Sequence, residues 1–218
     1  SADVDRGSSD ACGLLSTVAN PTSFDCGDVG MNSVSLVVTD INGNVDSCTA
    51  TVTVEDTVPP TAVCQDITIQ LDSSGSATLL PVSMNGGSGD ACGIDSLSAS
   101  QTSFGCGDVG MNTVTLTVLD SNGNSSTCTA TVTVEDTVAP VAVCQDITVQ
   151  LDTAGNASIT AMMVDGGSSD ACGIDSLVAS PTTFSCANVD SNSVTLTVTD
   201  VNGNVSSCTA NVTVEDTI

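Results

Sequence analysis

Residues 112–136 read NTVTLTVLDSNGNSSTCTATVTVED, and the way this stretch alternates decides the fold. Val114, Leu116 and Val118 alternate with Thr113, Thr115 and Thr117, and Cys128, Ala130, Val132 and Val134 then alternate with threonines. A period of two places one set of side chains on each face of a strand, and the β-branched content suits a pleated, half-buried surface. Between the two runs stands Asn122-Gly123, a dipeptide suited to the positive φ angles of a type I′ turn. The stretch is therefore predicted to be a long β-hairpin with one apolar and one threonine-covered face. It recurs as SVSLVVTDINGNVDSCTATVTVED at 33–56 and as SVTLTVTDVNGNVSSCTANVTVED at 193–216.

Outward from the hairpin the recurrence continues. Cys12, Cys92 and Cys172 repeat at a spacing of 80 residues, as do Asp40, Asp120 and Asp200. Residues 59–138 and 139–218 are two full copies, and 1–58 matches the last 58 positions of the repeat. Pro59-Pro60 and Pro140 open the full copies and suit stiff boundaries. Inside a copy, AVCQDITIQLD (62–72) reads as a first strand and SATLLPVS (76–83) as a second, with Pro81 marking an edge or strand end. The Gly/Ser/Asp loop NGGSGDACG (85–93) precedes a third strand near 94–100, an extended piece around Phe104 and a turn at Cys106. No amphipathic helix pattern occurs. Short strands at regular turn spacing predict an all-β chain of tandem immunoglobulin-like antiparallel β-sandwich domains: a partial one at 1–58 lacking its first strands, and complete ones at 59–138 and 139–218.

Composition excludes several functions. The chain has 26 acidic residues against one cation, Arg6, for a net charge of −25. Such a surface repels phosphate backbones and anionic lipid, and its self-repulsion is relieved by salt or divalent cations. No apolar run reaches the length of a membrane span. With no His, Lys or Tyr, the usual general bases and Schiff-base amines are absent, so the chain is not expected to be an enzyme. Three Phe are the only aromatics, so each core rests on Val, Ile, Leu and Ala, and small domains of this kind often rely on covalent staples.

The repeat resembles the hyalin-repeat (HYR) modules and their relatives in giant surface adhesins of gliding bacteria. The shared features are Pro-x-x-x-Cys-x-Asp-Ile at 140–147, the Asp-Ala-Cys-Gly loop, and Val-Thr-Leu-Thr-Val-x-Asp-x-Asn-Gly-Asn-x-x-x-Cys in the hairpin. The resemblance implies an immunoglobulin-like, extracellular, adhesive or structural module. HYR modules often carry a cysteine near the second strand, where this chain has Ser74–Ser76; Cys106 or Cys186 stands instead, so the family's pairing does not transfer.

Four cysteines per full copy allow three connectivities. In an immunoglobulin-like sandwich the first and last strands run side by side, which favours Cys64–Cys128 and Cys144–Cys208. Cys92–Cys106, Cys172–Cys186 and Cys12–Cys26 are then expected to close if the chain between them doubles back. Without Cys-x-x-Cys or His, zinc is unsupported, and disulfides imply an oxidising compartment. The first copy lacks the equivalents of 59–80, leaving Cys48 without its expected partner. These residues are accordingly expected to be a segment of a longer repetitive protein whose preceding residues supply a Cys-Gln-Asp-like strand.

The acidic turns admit two readings. Asp56, Asp90, Asp120 and Asn122, with Asp136, Asp170, Asp200 and Asn202 one repeat on, offer hard oxygen ligands, which makes calcium the candidate cofactor. Equally, Asp and Asn can simply cap local amides in a hairpin turn. Asp-Ser/Thr-aliphatic triplets place Thr57, Ser96, Thr137, Ser176 and Thr217 in a context that resembles the O-glycosylation sites of the bacterial group named above. The expected function is a structural stalk or fibre segment of an extracellular or cell-surface adhesin. Its partners would be further repeats of the same polypeptide, with surfaces, glycans or lateral copies as outer contacts. The alternatives are a ligand- or glycan-binding module using the loops at one end of each sandwich, and an accessory domain of a secreted enzyme.

Overall fold

In the computed structural model, which describes residues 4–217, the quoted stretch is a hairpin in every copy. The first copy contributes β1 (Leu14–Asn20), β2 (Gly30–Asp40) and β3 (Val45–Val54). The second contributes β4 (Ile67–Gln70), β5 (Ser76–Thr78), β6 (Ile94–Ala99), β7 (Ser103–Gly105), β8 (Gly110–Asp120) and β9 (Ser125–Glu135). The third repeats that pattern as β10 (Ile147–Gln150), β11 (Asn156–Ser158), β12 (Ile174–Ser180), β13 (Thr183–Ser185), β14 (Asp190–Asp200) and β15 (Val205–Glu215). Each full copy has a four-stranded sheet, in the orders β4-β9-β8-β6 and β10-β15-β14-β12, and a two-stranded sheet, β5-β7 and β11-β13. The chain is thus all-β and sandwich-like. It packs as two compact units: Ser1–Val63 with Gly86–Ser98 and Thr117–Cys128, and Cys64–Asn85 with Ala99–Leu116 and Thr129–Ile218.

The apolar alternation finds its core. In the third copy Val194, Leu196 and Val198 of β14 and Ala210, Val212 and Val214 of β15 are buried against Leu151, Ile159, Val164 and Phe184. The corresponding Val114, Leu116, Val118, Val132 and Val134 are buried in the second copy. Each such side chain contributes about 1.5–3 kcal/mol relative to leaving it exposed. In the first copy nothing equivalent to β4 and β5 occurs among the described residues. Its sheet is β1-β2-β3 alone, and Val34 and Leu36 are buried while Val52 and Val54 are only half-buried. Ala19, Phe24, Val34, Val52 and Val54 line an apolar groove of about 400 Å³ on that face.

Three expectations are corrected. The first and last strands of a full copy do run side by side, but in parallel (Ile67↔Val132 to Gln70↔Glu135, and Ile147↔Val212 to Gln150↔Glu215), so the sheets are mixed. One helical turn, α1 (Ala161–Val164), exists where none was expected, and at the matching place in the second copy Pro81 starts a 3-10 turn because its fixed φ suits a first helical position. Finally, the hairpin turn is not type I′. Among the described residues only Asp190 combines a side chain with positive φ, so Asn122 does not; Gly123, at φ +95°, takes the left-handed position by itself. The loop is wider than two residues because the Asp120 amide donates to the Asn124 carbonyl at 2.9 Å across it.

Candidate functional site at the repeat junctions

The wider turn is held by a carboxylate. Asp120 is 1% exposed, and its Oδ1 accepts the backbone amides of Asn122 and Asn124, each at 2.8 Å. Its Oδ2 accepts the Asn124 side-chain amide at 2.8 Å. Asp40 and Asp200 are bound in the same way. Burial pushes the carboxyls of Asp120 and Asp200 up, but the Asn124 and Asn204 hydrogen bonds outweigh it and hold both below the usual aspartate range. In Asp40 the Asn44 side-chain bond leads the same lowering.

The second and third turns reach into linkers. Asn124 Nδ2 donates to the Asp56 carbonyl at 3.1 Å, and Asn204 Nδ2 donates to the Asp136 carbonyl at 3.1 Å. The chain beyond each linker pairs with the Gly/Ser/Asp loop of the following copy, through the bridges Thr61↔Gly89 and Val141↔Ser169. In that loop Asp90 Oδ1 accepts the Cys92 amide, and Asp170 Oδ1 the Cys172 amide, both at 2.7 Å. Ligand atoms of Asp56, Asp90 and Cys92 consequently lie within 4.8 Å of one another, as do those of Asp136, Asp170 and Cys172.

The cysteines close these junctions, and here the expected pairing is overturned. Cys26 is bonded to Cys92 and Cys106 to Cys172, each across a sequence separation of 66, with Cα atoms 5.1 and 5.2 Å apart. Cys92–Cys106, Cys172–Cys186 and Cys12–Cys26 do not form; Cys12 and Cys186 are free and exposed, as is Cys48. The physical reason is strand direction. Cys172 precedes β12, which carries the chain seven residues along β14, from Asp200 at the turn to Thr195, before β13 crosses to the other sheet and Cys186 follows. At about 3.3 Å per residue, that strand separates the two cysteines by roughly 20 Å. Cys144–Cys208 forms as expected, with Cα atoms 5.8 Å apart, and Cys64 and Cys128, the same two positions one repeat earlier, are both disulfide-bonded.

The other candidate residues fall into groups. Asp56, Asp90, Asp136 and Asp170 meet at the junctions, whereas Asp120 and Asp200 are committed to their turns. Asp56 Oδ2, Asn122 Oδ1, Asp136 Oδ2 and Asn202 Oδ1 are buried without a hydrogen-bond partner. Thr57, Ser96, Thr137 and Thr217 are exposed and Ser176 is half-buried. The hydroxyls of Thr137 and Thr217 bond Gln70 and Gln150 at 3.0 and 2.8 Å. Ile218, the end of the last triplet, lies outside the described residues. Sequence reasoning missed Asp66 and Asp146. Their Oδ1 atoms accept the amides of Thr131 and Asn211 at 2.7 Å and pin the segment before the first strand to the last. Their position two residues after Cys64 and Cys144 was the available signal.

No protein-family model and no curated protein matches the chain. Among solved structures it is similar to mouse clustered PcdhgC3 EC1-3, with TM-score 0.35 and 14% identity over 85% of this chain and 77% of that one. It is also similar to the Protocadherin Gamma B7 extracellular cadherin domains 1-4, with TM-score 0.37 and 14% identity over 88% of this chain and 59% of that one, so it spans about three fifths of that protein fragment. A third is the three-Ig structure of titin domains I67-I69, with TM-score 0.37 and 9% identity over 88% and 77% of the two chains. Among the described residues no helix is long and apolar enough to cross a membrane.

Proposed function

We propose that the chain is a structural stalk or fibre segment of an extracellular repetitive adhesin, of the kind its HYR-like motifs suggest, built from immunoglobulin-like domains at 1–58, 59–138 and 139–218. The observation that carries this reading is the covalent junction. Cys26–Cys92 and Cys106–Cys172 bind successive copies of the repeat, so a pull along the chain is carried by bonds and not by hydrogen-bonded strands alone. The mechanism is mechanical: repeated modules held in series present an adhesive surface at a distance. Near-identical junctions also use up the Asp-Ala-Cys-Gly loops that a ligand-binding module would need free. Single-molecule stretching tests it. The oxidised chain is expected to release little length under load, and reductant to increase the released length several-fold; equal extension before and after reduction would sink the mechanical reading.

Calcium at the junctions belongs to the same reading. Asp56 with Asp90, and Asp136 with Asp170, bring two carboxylates together beside buried, unpartnered oxygens in both junctions. Those are hard oxygen donors of the type calcium takes, while Cys92 and Cys172, being in disulfides, offer no thiolate. Asn122 and Asn202 would supply amide oxygens, and the ion would offset like charge that otherwise strains each junction. Calcium is expected to raise the melting temperature of the wild-type chain, and to lose that effect in D56N/D136N. Identical melting with calcium and with chelator would leave the plain turn as the whole account.

A further inference from the structure

Two kinds of disulfide meet in the third copy. Cys106–Cys172 is a junction bond, closing a separation of 66 residues, and Cys144–Cys208 is a strand bond, closing 64. Cys144 lies inside the loop closed by the first bond, and Cys172 inside the loop closed by the second, so the loops are interleaved, neither nested nor separate. The first loop holds β8 to β11 and α1; the second holds β10 to β14 and α1. Cys64, itself disulfide-bonded, stands at the same place inside the Cys26–Cys92 loop. We infer that the junction bond and the strand bond back each other up. Under load the chain withholds most of its length when either bond is lost, and gives that length up only when both are. The inference deepens the stalk reading and rests on it, because it takes the pull to run along the chain.

Interleaving has this effect through connectivity alone, because the backbone can extend only along its shortest covalent route. From Cys106 to Cys208 the backbone itself spans about 102 residues. With both bonds closed, the shortest route crosses from Cys106 to Cys172, returns along the backbone to Cys144 and crosses to Cys208. That leaves about 28 residues to extend. Without the strand bond the route runs from Cys172 to Cys208 through β12 to β14, about 36 residues. Without the junction bond it runs from Cys106 to Cys144 through β8 and β9, about 38 residues. Separate loops would release their lengths independently. Here either bond alone withholds roughly two-thirds of the stretch.

The return from Cys172 to Cys144 is itself tied. Val141 and Ser169 exchange amide hydrogen bonds at 2.7 and 3.0 Å, the Gly166 amide donates to the Val143 carbonyl at 2.8 Å, and the Gln145 amide donates to the Val164 carbonyl at 2.9 Å. Gly166 permits that approach, since a methyl group there would lie 3.1 Å from the carbonyl carbon and oxygen of Cys144. Force therefore passes from one bond to the other between hydrogen-bonded neighbours. While both bonds hold, β8 and β9 on one side and β12 to β14 on the other stay off the loaded route.

The test stretches the full chain between handles at its two ends, with free thiols alkylated. It reads the contour length after all unfolding, which covalent connectivity fixes whatever a variant's stability. C106S/C172S, C144S/C208S and the quadruple variant are compared with the wild type, and non-reducing peptide mapping reports the bonds that each contains. At about 3.3–3.6 Å per residue, either double variant is expected to lengthen the extended chain by about 9 residues or fewer, ~3 nm. The quadruple variant is expected to lengthen it by roughly 65–70 residues, ~24 nm. A double variant that lengthens as much as the quadruple, or two double variants whose gains add up to it, would overturn the inference. So would a strand bond that fails to form once the junction bond is removed, or the converse. A wild-type chain that extends to all 218 residues without reductant would overturn the stalk reading itself.

Discussion

Replacing Cys144 and Cys208 together by serine is expected to destabilise the third copy by about 2–5 kcal/mol. Their bond closes a separation of 64 residues, for which the chain-entropy model gives about 4 kcal/mol. The structure supplies a second reason. The first strand, β10, is only four residues long and pairs with one neighbour, β15. Besides the ladder, the Asp146 bond to the Asn211 amide and the Leu151 amide bond to the Glu215 carbonyl hold it there. Val149 and Leu151 cover the core from this strand and the residue after it, so letting it fray would uncover β15 as well. With no Trp or Tyr in the chain, unfolding is best followed by far-ultraviolet circular dichroism or calorimetry. A transition of the double mutant at the wild-type midpoint would show that packing alone fixes β10.

The hairpins were legible because alternation is a local signal. Val194, Leu196 and Val198 declare their face by their spacing, and all three are buried. Parallel pairing of β10 with β15 was not legible, since side-by-side strands have the same alternation in either direction. The turn type was misread for a related reason. Asn-Gly permits type I′, but Asp120, two residues before Asn122, captures two amides and selects the wider loop.

The disulfides show a limit set by periodicity. In a repeat of 80, cysteines 14 apart within a copy are also 66 apart between copies, so Cys92 sees Cys106 and Cys26 as equally regular partners. Only the direction of the strand between them breaks the tie, and a sequence pattern carries no direction. The same ambiguity, 16 against 64, was resolved for Cys144–Cys208 because Cys144 leads into β10, which lies beside the strand that holds Cys208. Of the acidic cluster, the meeting of Asp56 with Asp90 followed from where the linker arrives, and Asp120 follows the other reading of the turn, in which its carboxylate caps local amides.

Leu196→Ala and Leu36→Ala, the same substitution at equivalent positions, are expected to differ in cost. Leu196 is 0% exposed in a core closed on its far side by Leu151, Ile159 and Phe184, so removing three carbons leaves a cavity that close-packed neighbours cannot fill. A loss of about 2–5 kcal/mol is expected, enough to consume much of the stability of an 80-residue module. Leu36, 4% exposed, sits on a sheet with no opposite layer among the described residues, next to the groove lined by Phe24, Val52 and Val54. There the side chains are half-exposed, and neighbours or water can move into the space, so the cavity contribution largely vanishes. The cost at Leu36 is expected at or below the lower end of that range, about 2 kcal/mol or less. Thermal unfolding of the two variants measures the difference directly. Equal destabilisation would mean that the apolar face of the first copy is as tightly packed as a complete sandwich, against the exposure of its last strand.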